Sequence, residues 1–146
     1  MKNKFYDFEP VDFLGNGKHC ISVAKQLKDG CGETGKAEAN YPMRVLLIHG
    51  IELLLKSLIL HFDSSKFSKE HDIKKLYDTA KDIVIQKELG IQDFLSEDEI
   101  KKIVDDYYPD SMKARYYNKT SRFDFSIFYS LENFVKILEE YIKPNT

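Results

Sequence analysis

The chain has 146 residues, with 22 Lys and Arg against 24 Asp and Glu and a net charge of −2. That length suggests one domain with a core of its own, and the charge balance excludes a global positive field that would draw in nucleic acid. Two cysteines, Cys20 and Cys31, with no C-x-x-C pair, exclude a disulfide framework and a structural zinc site, so both read as reduced thiols in a cytoplasmic protein.

The opening "MKNKFYDFEP" has no apolar core of signal-peptide length. "FYDFEPVDFLGNG" mixes aromatic and acidic residues and breaks at Gly15 and Gly17, so residues 1–16 read as an extension packing aromatic side chains onto the body of a single domain, 1–146. In "KHCISVAKQLKDG", Cys20, Val23, Ala24 and Leu27 recur at helical spacing, and Gly30 is a stop. A second helix begins near Tyr41–Pro42, where a proline's missing N–H goes unnoticed, and runs to His61 or Phe62. It is apolar on nearly all sides, as the central helix of a bundle should be. Arg44, His49, Glu52, Lys56 and Ser57 interrupt it, which argues against a membrane span.

A third helix is predicted from about His71 to Leu89, with Ile73, Leu76, Tyr77, Ala80 and Val84 as its stripe and Gly90 as its end. Ser96 and Glu99 form a capping box that opens a fourth, carrying Ile100, Ile103, Val104 and Tyr107 and stopping before Pro109. The last, in "FDFSIFYSLENFVKILEEYIK", presents Phe128, Leu131, Phe134, Val135, Leu138 and Tyr141 on one face. Period-two alternation is all but absent. The expected fold is all-α, an up-and-down bundle of about five helices.

"GCGETGKA", residues 30 to 37, places Gly30, Gly35 and Lys36 as a phosphate-binding loop does. Such a loop needs a strand before it and a Ser or Thr after its lysine to hold magnesium. Here the preceding segment is helical by pattern and position 37 is Ala. The stretch reads as a glycine-rich connection between helices.

Charge in the apolar helix needs a reason. At about 100° per residue, His49, Glu52 and Lys56 share one narrow stripe, with Arg44 at its edge. Glu52 and Lys56, four apart with the acid first, suit an intrahelical pair. Two readings stay open: a salt bridge where the helix reaches solvent, and a polar seam inside the bundle or at a subunit interface. A second informative stretch, "SMKARYYNKTSRF", interleaves Lys113, Arg115, Lys119 and Arg122 with Tyr116, Tyr117 and Phe123. It reads either as a surface for phosphates and stacked bases or as a solvated loop offsetting the acidic run before it. His61 ends the central helix, where positive charge suits the dipole. His71 stands at a helix start, where a structural hydrogen bond is the usual role. No spacing demands a metal, and no cofactor is expected.

"GIELLLKSLIL" followed by "HDIKKLYDTA" resembles the HEPN domain, an all-helical family whose members carry an E-L-x-x-K core and then an H-D-[IL]-x-x-L helix opening. The matching positions are Glu52, Leu53, Lys56, His71, Asp72, Ile73 and Leu76, and "ARYY" resembles a downstream Arg-Tyr element at Arg115 and Tyr116. The likeness spans roughly residues 17 to 142. It implies a small up-and-down bundle, usually a homodimer, and a link to RNA, nucleotides, toxin–antitoxin pairs or phage defence in prokaryotes. Active members cleave RNA without a metal through R-x(4–6)-H near the start of the last helix. Here no His follows His71, while Arg44 and His49 show that spacing in the central helix.

The sequence therefore points to a non-catalytic or degenerate module that binds RNA, a nucleotide or a partner protein, with Glu52, Lys56, His71, Arg115, Tyr116 and Lys119 as binding residues and no membrane partner. The alternative is a metal-independent ribonuclease with a rearranged site formed by His49, Arg44 and Arg115.

Overall fold

The computed structural model of the chain describes residues 8–30, 37–91, 95–107 and 126–143. Among these residues there are five α-helices and no strand: α1 (Pro10–Gly30), α2 (Ala37–Phe62), α3 (Ile73–Gln86), α4 (Glu97–Tyr107) and α5 (Ile127–Tyr141), with a 3₁₀ turn at Ser64–Lys66. The all-α bundle expected from periodicity is the fold. α2 is its centre and touches each of the other four helices. This is why its sequence is apolar nearly all round: Leu47, Ile51, Leu54, Leu55 and Leu58 are fully buried, each contributing about 1.5–3 kcal/mol through loss of water contact.

α1 starts earlier than its pattern suggests and runs straight through Gly15 and Gly17. The start signal lies upstream of both glycines. Pro10 takes the first helical position, where no N–H is needed, and Asp12 turns back to accept from the Glu9 backbone N–H at 2.8 Å. The reason for Gly17 is packing. A Cβ there would lie 3.0 Å from Leu54 Cδ2 and 3.1 Å from the Gly50 carbonyl oxygen, and a Cβ on Gly50 would lie 2.6 Å from Ile21 Cδ1. The two glycines let the backbones of α1 and α2 approach where the helices cross. Of the described aromatic residues ahead of this crossing, Phe13 lies 5.6 Å from Phe67 by ring centroids, while Phe8, 54% exposed, lies 5.8 Å from Phe13; Phe5 and Tyr6 lie outside the described residues.

α2 also begins before its expected start, at Ala37, so Pro42 sits inside the helix and not in its first turn. So near the N-terminus a proline removes only one intrahelical bond. Because α1 ends at Gly30 and α2 follows, a helix and not a strand precedes the glycine-rich connection. Residues 31–36 lie outside the described residues.

Asp72 caps α3, its Oδ1 accepting from the N–H groups of Lys74 and Lys75 at 2.9 and 3.3 Å. The far end departs from expectation. α3 stops at Gln86, and Gly90 is not the terminator. Leu89 N–H donates to the Val84 carbonyl and Glu88 N–H to the Ile85 carbonyl, a Schellman closure. Glu88 occupies its left-handed position at φ 51°, which glycine normally fills. Glu88→Gly is accordingly expected to raise stability by about 0.5–1 kcal/mol, since a side chain in this region costs about 1–2 kcal/mol and glycine's greater unfolded-state entropy offsets part of the gain. Urea unfolding of the two proteins checks this.

The capping box is present as read: Ser96 N–H donates to Glu99 Oε1 and Glu99 N–H to Ser96 Oγ, both at 3.1 Å. The second oxygen of Glu99 accepts from Ser130 Oγ at 2.8 Å, tying α4 to α5. α5 buries Phe128, Leu131, Phe134, Val135 and Leu138 as expected, while Tyr141 is 41% exposed and meets Phe62 edge-on. α5 runs antiparallel to α1: Lys18 pairs with Glu139 and Lys25 with Glu132, and Lys28 lies over the Phe128 ring.

Candidate functional site

The polar residues of α2 separate once the bundle is assembled. The Arg44 side chain is fully buried, at 0% exposure, whereas His49 is exposed. Five residues apart on a helix leaves them about 140° from each other, and packing has turned that angle into inside and outside. The structure does not bring this pair together. Arg115, Tyr116 and Lys119 lie outside the described residues.

Glu52, Lys56 and His71 do come together. Lys56 Nζ donates to Glu52 Oε2 at 3.2 Å, with side-chain exposures of 8% and 12%. Lys56 is buried and Glu52 is of intermediate burial, so the pair lies mostly inside the bundle with its carboxylate reaching toward the surface. The same Oε2 meets His71 Nδ1 at 3.1 Å, and the His71 side chain is 72% exposed. One carboxylate oxygen thus holds a buried ammonium on its own helix and an exposed imidazole from the start of the next.

The backbone carrying His71 is pinned from both sides. Glu70 Oε1 accepts from the N–H groups of His71 and Asp72, each at 3.1 Å, while Asp72 caps α3. The Asp72 N–H bond is the main reason that the Glu70 carboxyl lies below its ordinary range. Lys75 also reaches Glu70 at 3.7 Å. The backbone of the short polar run Glu70–His71–Asp72 is therefore held by several hydrogen bonds, and the exposed His71 ring meets Glu52.

The resemblance motif and this cluster are the same residues. Glu52, Lys56, His71 and Asp72 join the middle of α2 to the N-terminus of α3, a structural task that needs no substrate. Sequence reasoning grouped Glu52 with Lys56 but left His71 as an isolated helix-start residue. The contact between Glu52 and His71 spans 19 residues and two helices, so no spacing rule within one helix could reveal it. Only their joint membership of the motif hinted at it.

Other candidate groups are ordinary. The Cys20 thiol is pushed up by burial, which makes it less reactive. Among the described residues no group of three or more His, Cys, Asp and Glu could hold a metal ion. Pro42–Phe62 is long and apolar enough to cross a membrane, and half of it is buried inside the bundle. Comparison with protein-family models, with curated proteins and with solved structures finds no match to this chain.

His61 differs from its expected role. Its place in the last turn of α2 favours the charged ring, but burial lowers its pKa below the ordinary value. The folded state therefore binds this proton less readily than the unfolded state, and stability falls as pH drops below about 6.5. Wild type is expected to lose stability between pH 7.5 and 5.5, and His61→Gln to lose less over the same window, as read by urea denaturation at each pH. The depressed carboxyls of Asp63, Glu70 and Glu97 act lower, near and below about pH 4.

Proposed function

We propose that this chain is a HEPN-like module, degenerate at its Arg/His pair, that binds RNA, a nucleotide or a partner protein, in the homodimeric form the resemblance implies. The observation that carries this reading is the separation of Arg44 from His49. A metal-free ribonuclease needs a cation on the phosphate and a proton-transferring group beside the 2′-hydroxyl of the same nucleotide. A guanidinium at 0% exposure and an imidazole on the outer side of the helix cannot share one phosphate. The motif residues of α2 and α3 support the HEPN-like reading in a different way: they act together as a clasp between the helices that carry them.

The test is fluorescence anisotropy with single-stranded RNA and with ATP, run beside an RNA cleavage assay in EDTA. The proposal expects binding of RNA, of ATP or of a partner protein, without cleavage. Cleavage in EDTA that disappears in a folded His49→Ala variant would overturn it and restore the Arg44–His49 site.

One observation favours the alternative, a metal-independent ribonuclease with a rearranged site. His71 is exposed and meets the largely covered carboxylate of Glu52 at 3.1 Å, an arrangement that suits proton transfer better than that of His49.

A further inference from the structure

We infer that Asn16 is a modification site: the chain deamidates there when α1 opens, and the isoaspartate formed bars the return to the fold. Of the asparagines, only Asn16 is followed by glycine. That pair is self-reactive, because no side chain on the second residue hinders the attack of its backbone nitrogen on the asparagine side chain. Glycine is not optional at this position. Gly17 is buried, and a Cβ on it would stand 3.0 Å from Leu54 Cδ2 and 3.1 Å from the Gly50 carbonyl oxygen. A Cβ on Gly15 would meet nothing within 4 Å. The α1–α2 crossing thus imposes the very residue that makes Asn16 labile.

The fold supplies the protection. Asn16 is exposed to water, but both residues lie inside α1. Helical ψ, about −42°, turns the nitrogen of the following residue away from the side-chain carbonyl carbon. An interior helical N–H is also held by the carbonyl four residues back. Ring closure therefore waits for α1 to unwind, and its rate follows the population of the opened state.

The chemistry needs only water. The Gly17 nitrogen forms a bond to Asn16 Cγ and gives up its proton, and the Cγ–Nδ2 bond breaks with loss of ammonia. Water then opens the cyclic imide. Cleavage between the nitrogen and Cγ gives ordinary aspartate. Cleavage between the nitrogen and the main-chain carbonyl carbon gives isoaspartate, whose backbone runs through Cβ and Cγ. The longer backbone falls immediately before Gly17 and breaks the helical hydrogen-bond ladder there. It does so where α1 and α2 approach closely, since a Cβ on Gly50 would lie 3.2 Å from the Gly17 carbonyl oxygen.

Two measurements test this. The first holds the full chain at mildly alkaline pH, folded and in guanidinium chloride, and follows Asn16 by peptide mass mapping. Asn133, exposed and helical but followed by Phe134, is the internal reference. In the unfolded chain Asn16 is expected to convert well ahead of Asn133. In the folded chain it is expected to convert at least about tenfold more slowly, since opening a helix packed on the core takes free energy. Equal rates in both states, or an inert Asn16 in the unfolded chain, overturn the inference. The second returns the aged chains to native buffer, separates folded from unfolded molecules and maps isoaspartate in each. The expected result is isoaspartate at residue 16 concentrated in the molecules that fail to fold. Asn16→Asp should fold as wild type does, because it adds charge at an exposed site without lengthening the backbone. Isoaspartate spread evenly over both fractions overturns the barrier to refolding, and so does failure of Asn16→Asp to fold, which would trace the loss to charge.

Discussion

Gly50→Val is expected to destabilise the protein by about 3 kcal/mol, the upper end for forcing extra methyl groups into a packed interior, and to lower the Tm by roughly 10 °C. Even the first added carbon would stand 2.6 Å from Ile21 Cδ1 and 3.2 Å from the Gly17 carbonyl oxygen. The side-chain end can swing away, but the carbonyl belongs to the backbone of α1, so the helices must part. α1 and α2 share the most extensive helix–helix interface in the bundle, and losing their register exposes apolar surface on both. A double-mutant cycle isolates the cause. Gly50→Ala should be harmful alone and markedly less so with Ile21→Ala, because the clash and the side chain vanish together. Strict additivity of the two substitutions in urea unfolding would show that no such close crossing exists.

The second large effect concerns charge. Glu52→Ala is expected to cost about 3–5 kcal/mol, because it leaves the Lys56 ammonium buried without its counter-ion. Removing the partner that faces solvent should matter far less: His71→Ala is expected to cost under about 1 kcal/mol, as exposed ion pairs do. The informative companion is the double substitution Glu52→Leu with Lys56→Met, which fills a similar volume without charge. It should recover most of the lost stability, since apolar replacements of buried pairs are often neutral or better. Equilibrium unfolding of the four proteins orders these effects. Equal losses for Glu52→Ala and for the double variant would mean that the pair acts through packing and not through charge.

Much of this fold could be read from the order of apolar residues. The stripes of α3 and α5 were nearly complete, because an amphipathic helix states its buried face at a period of 3.6. The capping box at Ser96 and Glu99 was legible for a similar reason: both partners lie within one turn. The start of α1 and the end of α3 were not. Gly15 and Gly17 look like breakers until a second helix is placed against them, and the termination of α3 at Glu88 uses a residue that gives no local sign of a left-handed turn. Pro42 misled in the same way, marking a start where the helix had already begun. The site was half legible. Glu52 and Lys56 could be paired by spacing, but whether they were wet or dry depended on neighbours from other helices, and the arrival of His71 at the same oxygen depended on a turn whose path no periodicity encodes.

The antiparallel pairing of α1 with α5 bears on how the molecule comes into being. The α1–α2 crossing joins near neighbours in the chain, so that hairpin can form early at small entropic cost. The pairs Lys25–Glu132 and Lys18–Glu139 span 107 and 121 residues, and closing loops of that size is slow. On the ribosome, α1 to α4 emerge before their last partner has been translated, and the side of the core that Phe128, Leu131 and Phe134 will seal stays open until then. α5 is thus a closing stave: the four described helices before it wait for it with oily surface uncovered, and that interval is when a nascent chain is most vulnerable to sticking to its neighbours.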